Sequence, residues 1–375
     1  MTNNSIWEIE TYYKAQDVVI VGAGLMGLWT ALTLHQKMPT LGITILEKNT
    51  TPLGASTRNA GFACFGSPTE LLSDASSMGE NNMWQLVEKR YKGIEKIKKT
   101  FHSTVTDYSA CGGFECLLNK DEQVLEQLDW LNKGMSQIVG SPKCFTIEND
   151  LLEKNQLTGF DYLIQNNLEG TLHSGKLVQA LTQKVIAAGI TILYGVEVNH
   201  CVDANNTVKV SFNQNTITAK QLIFCTNAFT NKLINKDAIV PARGQVIVTS
   251  PIENLTLNGS FHFDEGFYYW RNLGNRILLG GARNKDIAGE ETTELTTSIT
   301  IQNELELFLK THISSTYQYT IEHKWSGIMA FTNTKTPVCK KISENVYYAI
   351  ACNGMGVALT PIFAEEVVSK IFNTQ

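Results

Sequence analysis

Gly22, Gly24 and Gly27 stand in a GxGxxG spacing, directly after the apolar run Val18–Val21 and ahead of a segment whose Leu25, Leu28, Leu32 and Leu34 recur at helical intervals. In that setting the first glycine permits a tight turn and the second lets the backbone approach a pyrophosphate at the helix N-terminus. The third allows helix and strand to pack closely. Leu25 and Met26 open the helix and join the glycines as candidate phosphate contacts. Glu47 closes the next apolar run, "GITILEKN", 20 residues past Gly27, where a carboxylate accepts hydrogen bonds from ribose hydroxyls. Lys48 lies beside it. A glutamate rather than an arginine at that strand end argues against a cofactor carrying a ribose phosphate. The chemistry indicated is dinucleotide binding, and the glycines alone do not separate nicotinamide from flavin.

A strand-helix-strand unit of this size implies a parallel sheet. Downstream, "MWQLVEKRYKGIEKIKKTF" spaces Trp84, Val87, Tyr91, Ile94 and Phe101 as one helix face, and its six basic residues read as a solvated opposite face. A helix and strand follow in "HSGKLVQALTQKVIAAGITILYGVEV", then a hairpin and an apolar strand in "VKVSFNQNTITAKQLIFCTNAF". The texture changes at "VPARGQVIVTSP" and "GFYYWRNLGNRILLGGAR", which read as longer antiparallel strands with Gly/Asn turns. "NVYYAIACNGMGVALTPIF" returns to strand, glycine turn and helix. The expected fold is therefore α/β (α+β overall), a Rossmann-like domain with a second domain built on an antiparallel β-sheet. Residues 1-100, 155-235 and 330-375 are assigned to the first, and residues 101-154 and 236-329 to the second.

The chain has 375 residues, 43 % hydrophobic and 18 % charged, which fits a two-domain globular protein. A net charge of −5 gives no electrostatic basis for a nucleic-acid or anionic-membrane partner. The stretch "MTNNSIWEIETYYKAQD" lacks a basic start followed by an apolar run, and no run approaches the roughly 20 apolar residues of a transmembrane span, so a cytoplasmic location is expected. The eight cysteines and seven histidines lack metal spacing, Cys111 and Cys116 included, and no metal site is expected.

The stretch "LGASTRNAGFACFG", residues 53–66, continues the nucleotide region with small residues where a simple dinucleotide fold would already have turned into its next helix. "GASTRNAGF" resembles the segment after the second strand in the FAD-dependent D-amino-acid oxidase / glycine oxidase (DAO) family. That resemblance assigns Ser56, Thr57, Arg58, Asn59, Ala60 and Gly61 to the passage beside pyrophosphate and flavin. Close passage needs little side-chain volume, and an arginine complements phosphate oxygens. "GTLHSGKLVQAL" with "GVEV" resembles the family's adenine-side helix and strand, implicating Val198. "LIFCTNAFT" looks like the strand and turn over the dinucleotide, implicating Thr226, Asn227 and Ala228. "NGMGVALTP" is similar to the terminal glycine turn, which would set Gly354, Met355, Gly356 and Val357 beside the flavin's pyrimidine ring. There a fixed positive helix end stabilises the charge that reduction develops. "TNAFT", "PARGQVIVT", "GFYYWR" and "RILLGG" look nearest to the gamma-glutamylputrescine oxidase branch.

The resemblance implies FAD, held noncovalently, and oxidation of a C–N bond of an amine or amino-acid derivative by hydride transfer, with hydrolysis of the resulting imine. Such chemistry needs geometry and water exclusion rather than a strong protein acid or base, in keeping with the absence of a Ser/His/Asp or paired-carboxylate motif. Tyr269 and Arg271 alternate onto one face of a substrate-domain strand and are the candidate substrate contacts. Ile328 and Met329 occupy the strand after which amino-acid-oxidising members place an arginine, which favours an amine derivative over a simple amino acid. "RILLGG" carries no lysine of the kind that promotes reaction with dioxygen, so a quinone or carrier protein stands beside dioxygen as electron acceptor. An NAD-dependent dehydrogenase and a non-catalytic flavin-binding protein remain the alternatives.

Overall fold

The computed structural model describes residues 4–204, 206–232, 239–313, 316–350 and 352–373. The chain forms two compact units: Met1–Thr57, Gly175–Ala242 and Met329–Gln375 make one, Arg58–Ser174 and Arg243–Ile328 the other.

In the first unit, five parallel strands lie side by side in the order Thr191–Tyr194, Ile43–Glu47, Gln16–Val21, Asn215–Phe224, Val346–Ile350. In chain order this is 3-2-1-4-5, the doubly wound arrangement whose direction of winding reverses between the first and fourth strands. The central strands are continuous β-branched runs because both faces are covered, and Val18, Val19 and Ile20 are fully buried. Thr207–Phe212 adds antiparallel to Asn215–Phe224 and Val198–Ala204 antiparallel to Thr207–Phe212, while Val338–Ser343 adds antiparallel to the far edge. The apolar strand expected after a hairpin is thus the hairpin's own second arm.

The glycine-turn helix, Leu25–Lys37, buries every residue from Leu25 to Leu34 instead of one leucine face. The terminal helix Gly356–Phe372 packs against it on the side a solvated face would occupy.

The second unit is built on an eight-stranded sheet. Its order is Ile321–Phe331, Val240–Thr249, Arg276–Gly281, Tyr268–Leu273, Ser260–Phe263, Gly113–Leu117, Tyr162–Asn166, Phe145–Ile147. The expected antiparallel pairing holds for most neighbours, but Gly113–Leu117 runs parallel to Ser260–Phe263 because the two come from distant parts of the chain. One face of the sheet is an aromatic core, where Phe261 stacks on Trp270 at 5.5 Å and Tyr268 on Phe308 of helix Ile299–Phe308 at 4.2 Å.

The basic helix spans Glu80–Thr100. Its Arg90, counted in sequence with the solvated face, is 2 % exposed, with Nη1 3.1 Å from Glu70 Oε1 and Nη2 3.8 Å from Asp74 Oδ2. A buried guanidinium is tolerated there because carboxylates from another helix meet it. All eight cysteines are free thiols, and no metal-ligating cluster and no helix long and apolar enough to cross a membrane occur among the described residues.

Candidate functional site

The carboxyl ends of the first and fourth parallel strands meet at Gly22. Its φ is +107°, and a Cβ there would lie 2.7 Å from the carbonyl oxygen of Cys225, so only glycine fits. A Cβ on Gly27 would sit 1.9 Å from the Gly22 carbonyl oxygen, which is the close helix-strand packing anticipated from its position. Gly24 is the N-cap of Leu25–Lys37 and offers no side chain to it, and no acidic residue stands in the first turn. Ser56 Oγ accepts the Leu25 N–H at 2.9 Å, so the hydroxyl of the small-residue stretch reaches the helix start.

Glu47 is buried at the end of its strand, where Oε2 accepts the Ala23 N–H at 2.8 Å and Oε1 the Asn49 N–H at 3.0 Å. The carboxylate is thereby fixed beside the glycine turn with acceptor capacity to spare. Lys48 turns to solvent and pairs with Glu197 at 2.6 Å. Val198 is buried at the start of its strand. Thr226 Oγ1 bonds Thr230 Oγ1 at 2.7 Å, and Asn227, at φ +49°, opens the short helical turn after the fourth strand. Thr57 donates its hydroxyl to Pro52 O at 2.7 Å.

At the end of the fifth strand, Asn353 (φ +47°) and Gly354 (φ +85°) reverse the chain into helix Gly356–Phe372. Met355 is the N-cap with no side-chain cap, Val357 is buried, and no acidic residue occupies the first turn. Met329 places its sulfur 3.7 Å from where a Cβ on Gly354 would be. This unit therefore carries two long helices whose N-cap residues supply no side-chain cap, a turn where Cβ atoms would collide, and a fixed carboxylate. Those features fit the diphosphate, ribose and electron-accepting ring of a flavin dinucleotide.

The second unit holds the rest of the predicted residues. Arg58 donates from Nη1 to Ser326 O at 2.8 Å, and its carbonyl accepts from Trp325 Nε1 at 3.0 Å, so it backs onto strand Ile321–Phe331. Asn59 Oδ1 accepts from the Gly61 N–H at 2.9 Å and from Ser174 Oγ at 2.6 Å. Ala60 packs against Val246 and Leu278. Gly61 sits at φ +73°, with a Cβ barred by Leu172 O at 2.3 Å.

Tyr269 and Arg271 share the sheet face that meets this segment. The Tyr269 ring lies edge-on to Phe62 at 5.9 Å and covers Gly280, whose absent Cβ would be 2.4 Å from it. Burial pushes the Tyr269 hydroxyl up to about 12, against the lowering influence of Arg283. Arg271 is 8 % exposed and donates through Nη1 to Gly61 O and Leu172 O, both at 2.9 Å, and through Nε to Asn272 O. Its guanidinium holds backbone carbonyls, and burial lowers it to about 10.

His262 was not anticipated. It faces Tyr269 across the strand pair, lies edge-on to Phe62 at 5.1 Å, and its buried Nε2 has no hydrogen-bond partner among the described residues. Burial drives it down to about 4, so it is neutral at physiological pH. The alternation of "SFHF" against "YYWR" is the sequence signal that pairs the two residues.

With this geometry in place, comparison with known proteins gives one assignment. Residues 17–370 match the family model described as "FAD dependent oxidoreductase" (DAO). The chain is 25 % identical to a probable oxidoreductase OrdL of Haemophilus influenzae over 96 % of its length and 84 % of that protein's. It is 23 % identical to the gamma-glutamylputrescine oxidoreductase of Escherichia coli, over 92 % of this chain and 80 % of the other. Among solved structures, glycine oxidase from Bacillus cereus superposes with a TM-score of 0.76 at 19 % identity, covering 96 % of each chain. The nucleotide turn, the small-residue stretch and the terminal glycine turn all fall inside the matched span, and this chain belongs to the DAO family of FAD-dependent oxidoreductases.

Proposed function

We propose that this protein oxidises a C–N bond of an amine or amino-acid derivative, passing hydride from the substrate's α-carbon to noncovalently held FAD and releasing an imine that hydrolyses in water. The observation that carries this reading is the uncapped, acid-free N-terminus of helix Gly356–Phe372 behind the Gly354 turn, which suits a ring that becomes anionic on reduction. The names of two similar proteins, one for gamma-glutamylputrescine and one for glycine, support an amine-bearing substrate.

Bound FAD supplies the hydride acceptor. The chain's own residues bind and orient it: Gly22–Gly27 at the pyrophosphate, Glu47 at the ribose, Val198 at the adenine, Thr226 and Asn227 over the dinucleotide, Ser56–Gly61 beside the pyrophosphate and flavin, and Gly354–Val357 at the flavin. Tyr269 stands as the substrate contact, and with Phe62 and His262 it gives a wall that carries no charge at neutral pH. Such a wall favours the uncharged amine, whose lone pair drives hydride departure. Arg271 acts through the carbonyls it holds. The acceptor is dioxygen or a quinone or carrier protein, the latter pair favoured by the absence of a lysine from strand Arg276–Gly281. A cytoplasmic location accords with this reading.

The test is anaerobic mixing of the yellow, FAD-loaded protein with a panel of amines, polyamine derivatives and amino acids. At least one amine derivative should bleach the flavin band, and acid precipitation should release FAD into the supernatant. Failure of every amine and amino acid to bleach a fully loaded sample would refute the assignment.

A further inference from the structure

Strand Ile321–Phe331 closes one side of the eight-stranded sheet, and among the described residues Val240–Thr249 is the one strand beside it. Further along, Arg58 meets the carbonyl of Ser326 and the ring N–H of Trp325. The first turnings of the strand have no such cover: Glu322, His323 and Lys324 are all exposed. An edge of this kind presents a row of outward N–H and C=O groups to any strand that can lie against it.

The helix beside this edge is apolar on its outer side as well. Ile299–Phe308 and its continuation Leu309–Ile313 bury Ile301, Leu305, Phe308 and Leu309 against the aromatic core. Ile299 and Leu307, eight residues apart on the outward side, are 74 % and 60 % exposed. Leu307 lines an open groove of about 240 Å³ together with Glu306, Lys310, Tyr319 and Ile321, so the outer side of the helix and the strand edge form one surface.

Charge decides what fits there. Charged side chains on a strand edge deter a partner when they repel it. Here Glu322 and Lys324 stand one residue to either side of His323 with opposite signs, and Glu306 and Lys310 add one of each on the helix. Glu322 pairs with Arg276 and Lys324 with Glu306 inside the chain, but all four of these side chains stay partly exposed and keep further hydrogen-bonding capacity. If the strand pairs antiparallel with a copy of itself about a two-fold axis at His323, each Glu322 comes opposite Lys324 of the second copy. Parallel pairing in register would set Glu322 on Glu322 and Lys324 on Lys324 instead. The match singles out a second copy of this chain, in one orientation.

We propose that residues 322–324 are the centre of a homodimer interface: the edge strands of two copies pair antiparallel, opposite charges meet across the axis, and the two Leu307 grooves close against each other on one face of the joined sheet. Cross-strand charge pairs and burial of the groove both favour the contact. It is separate from the flavin chemistry and holds whether or not an amine is the substrate.

Sedimentation equilibrium of the FAD-loaded full chain at micromolar concentrations should give twice the mass of one chain. His323→Cys puts a thiol on the axis, where facing Cβ atoms of an antiparallel pair lie about 4.5–5.5 Å apart. Mild oxidation should then yield a disulfide-linked dimer on a non-reducing gel that the wild type does not form. Lys324→Glu sets carboxylate against carboxylate and should raise the dissociation constant about tenfold or more. If a variant does not accumulate, hydrogen exchange of the wild type decides: the backbone amides of residues 321–324 should exchange more slowly as protein concentration rises. A wild type that sediments as a single chain throughout overturns the proposal. So does a dimer in which those amides exchange at a rate indifferent to concentration. A dimer that Lys324→Glu leaves at wild-type strength and His323→Cys does not cross-link overturns it too, since that dimer assembles through another face.

Discussion

Gly27→Ala should yield a protein that no longer retains FAD and is destabilised by roughly 3 kcal/mol, the upper end of what overpacking a tight interior costs. The added methyl would lie 1.9 Å from the Gly22 carbonyl oxygen and 3.3 Å from Ile20, and neither can swing away as the tip of a flexible side chain could. Relief requires separating the start of Leu25–Lys37 from strand Gln16–Val21, which pulls the helix N-terminus off the glycine turn. The flavin-to-protein absorbance ratio after gel filtration reads the first effect, and urea denaturation of the apoprotein the second. Gly24→Ala is the milder companion. Its methyl meets Ser56 Oγ at 2.9 Å, a hydroxyl able to rotate, although rotation would cost Leu25 N–H its acceptor. Normal FAD content and stability in Gly27→Ala would show that helix and turn are not packed as described.

Arg271→Met should destabilise the fold by about 2 to 4 kcal/mol and lower FAD retention. The guanidinium donates to Gly61 O and Leu172 O; without it Leu172 O loses that donor at about 1–3 kcal/mol, while Gly61 O keeps the Leu172 N–H at 2.8 Å and loses a charge-assisted bond worth about 1.5–3 kcal/mol. Part of this is offset because the buried cation has no carboxylate within ion-pair distance among the described residues, and its removal relieves a desolvation cost. Arg271→Lys keeps the charge, but an ammonium lacks the planar fork that reaches Gly61 and Leu172 together, so its loss should be intermediate. Chemical denaturation and flavin content measure both variants. If Arg271→Met folds with a full complement of FAD and only KM rises, the residue touches substrate directly.

The parts of this protein that are legible from its sequence are those whose partners lie close along the chain. The turn at Gly22–Gly27 and the carboxylate at Glu47 belong to one strand-helix-strand unit, and their geometry is written in about thirty residues of spacing. Alternation likewise places Tyr269 and Arg271 on one face. What fills that face is not legible: Gly61 and Leu172, the acceptors of Arg271, are some 210 and 99 residues away. Arg90 misleads for the same reason, since helical periodicity counts it with its lysine neighbours while Glu70 and Asp74 arrive from another helix. Leu25–Leu34 is buried all round with the help of a helix that starts more than 300 residues later, which no local pattern conveys. The stretch from 70 to 160 carries no site motif legible in the sequence, yet it contributes the buried carboxyls of Asp74 and Glu115.

The most direct test of the account is a crystal structure of the FAD-loaded protein. The account predicts the pyrophosphate against the backbone of Gly22–Gly27, the adenosine ribose on the Glu47 carboxylate, and the pyrimidine edge of the flavin at the N–H groups of Gly354–Val357. Density showing the diphosphate away from the Leu25 helix start, or the flavin ring away from the Gly354 turn, would contradict it.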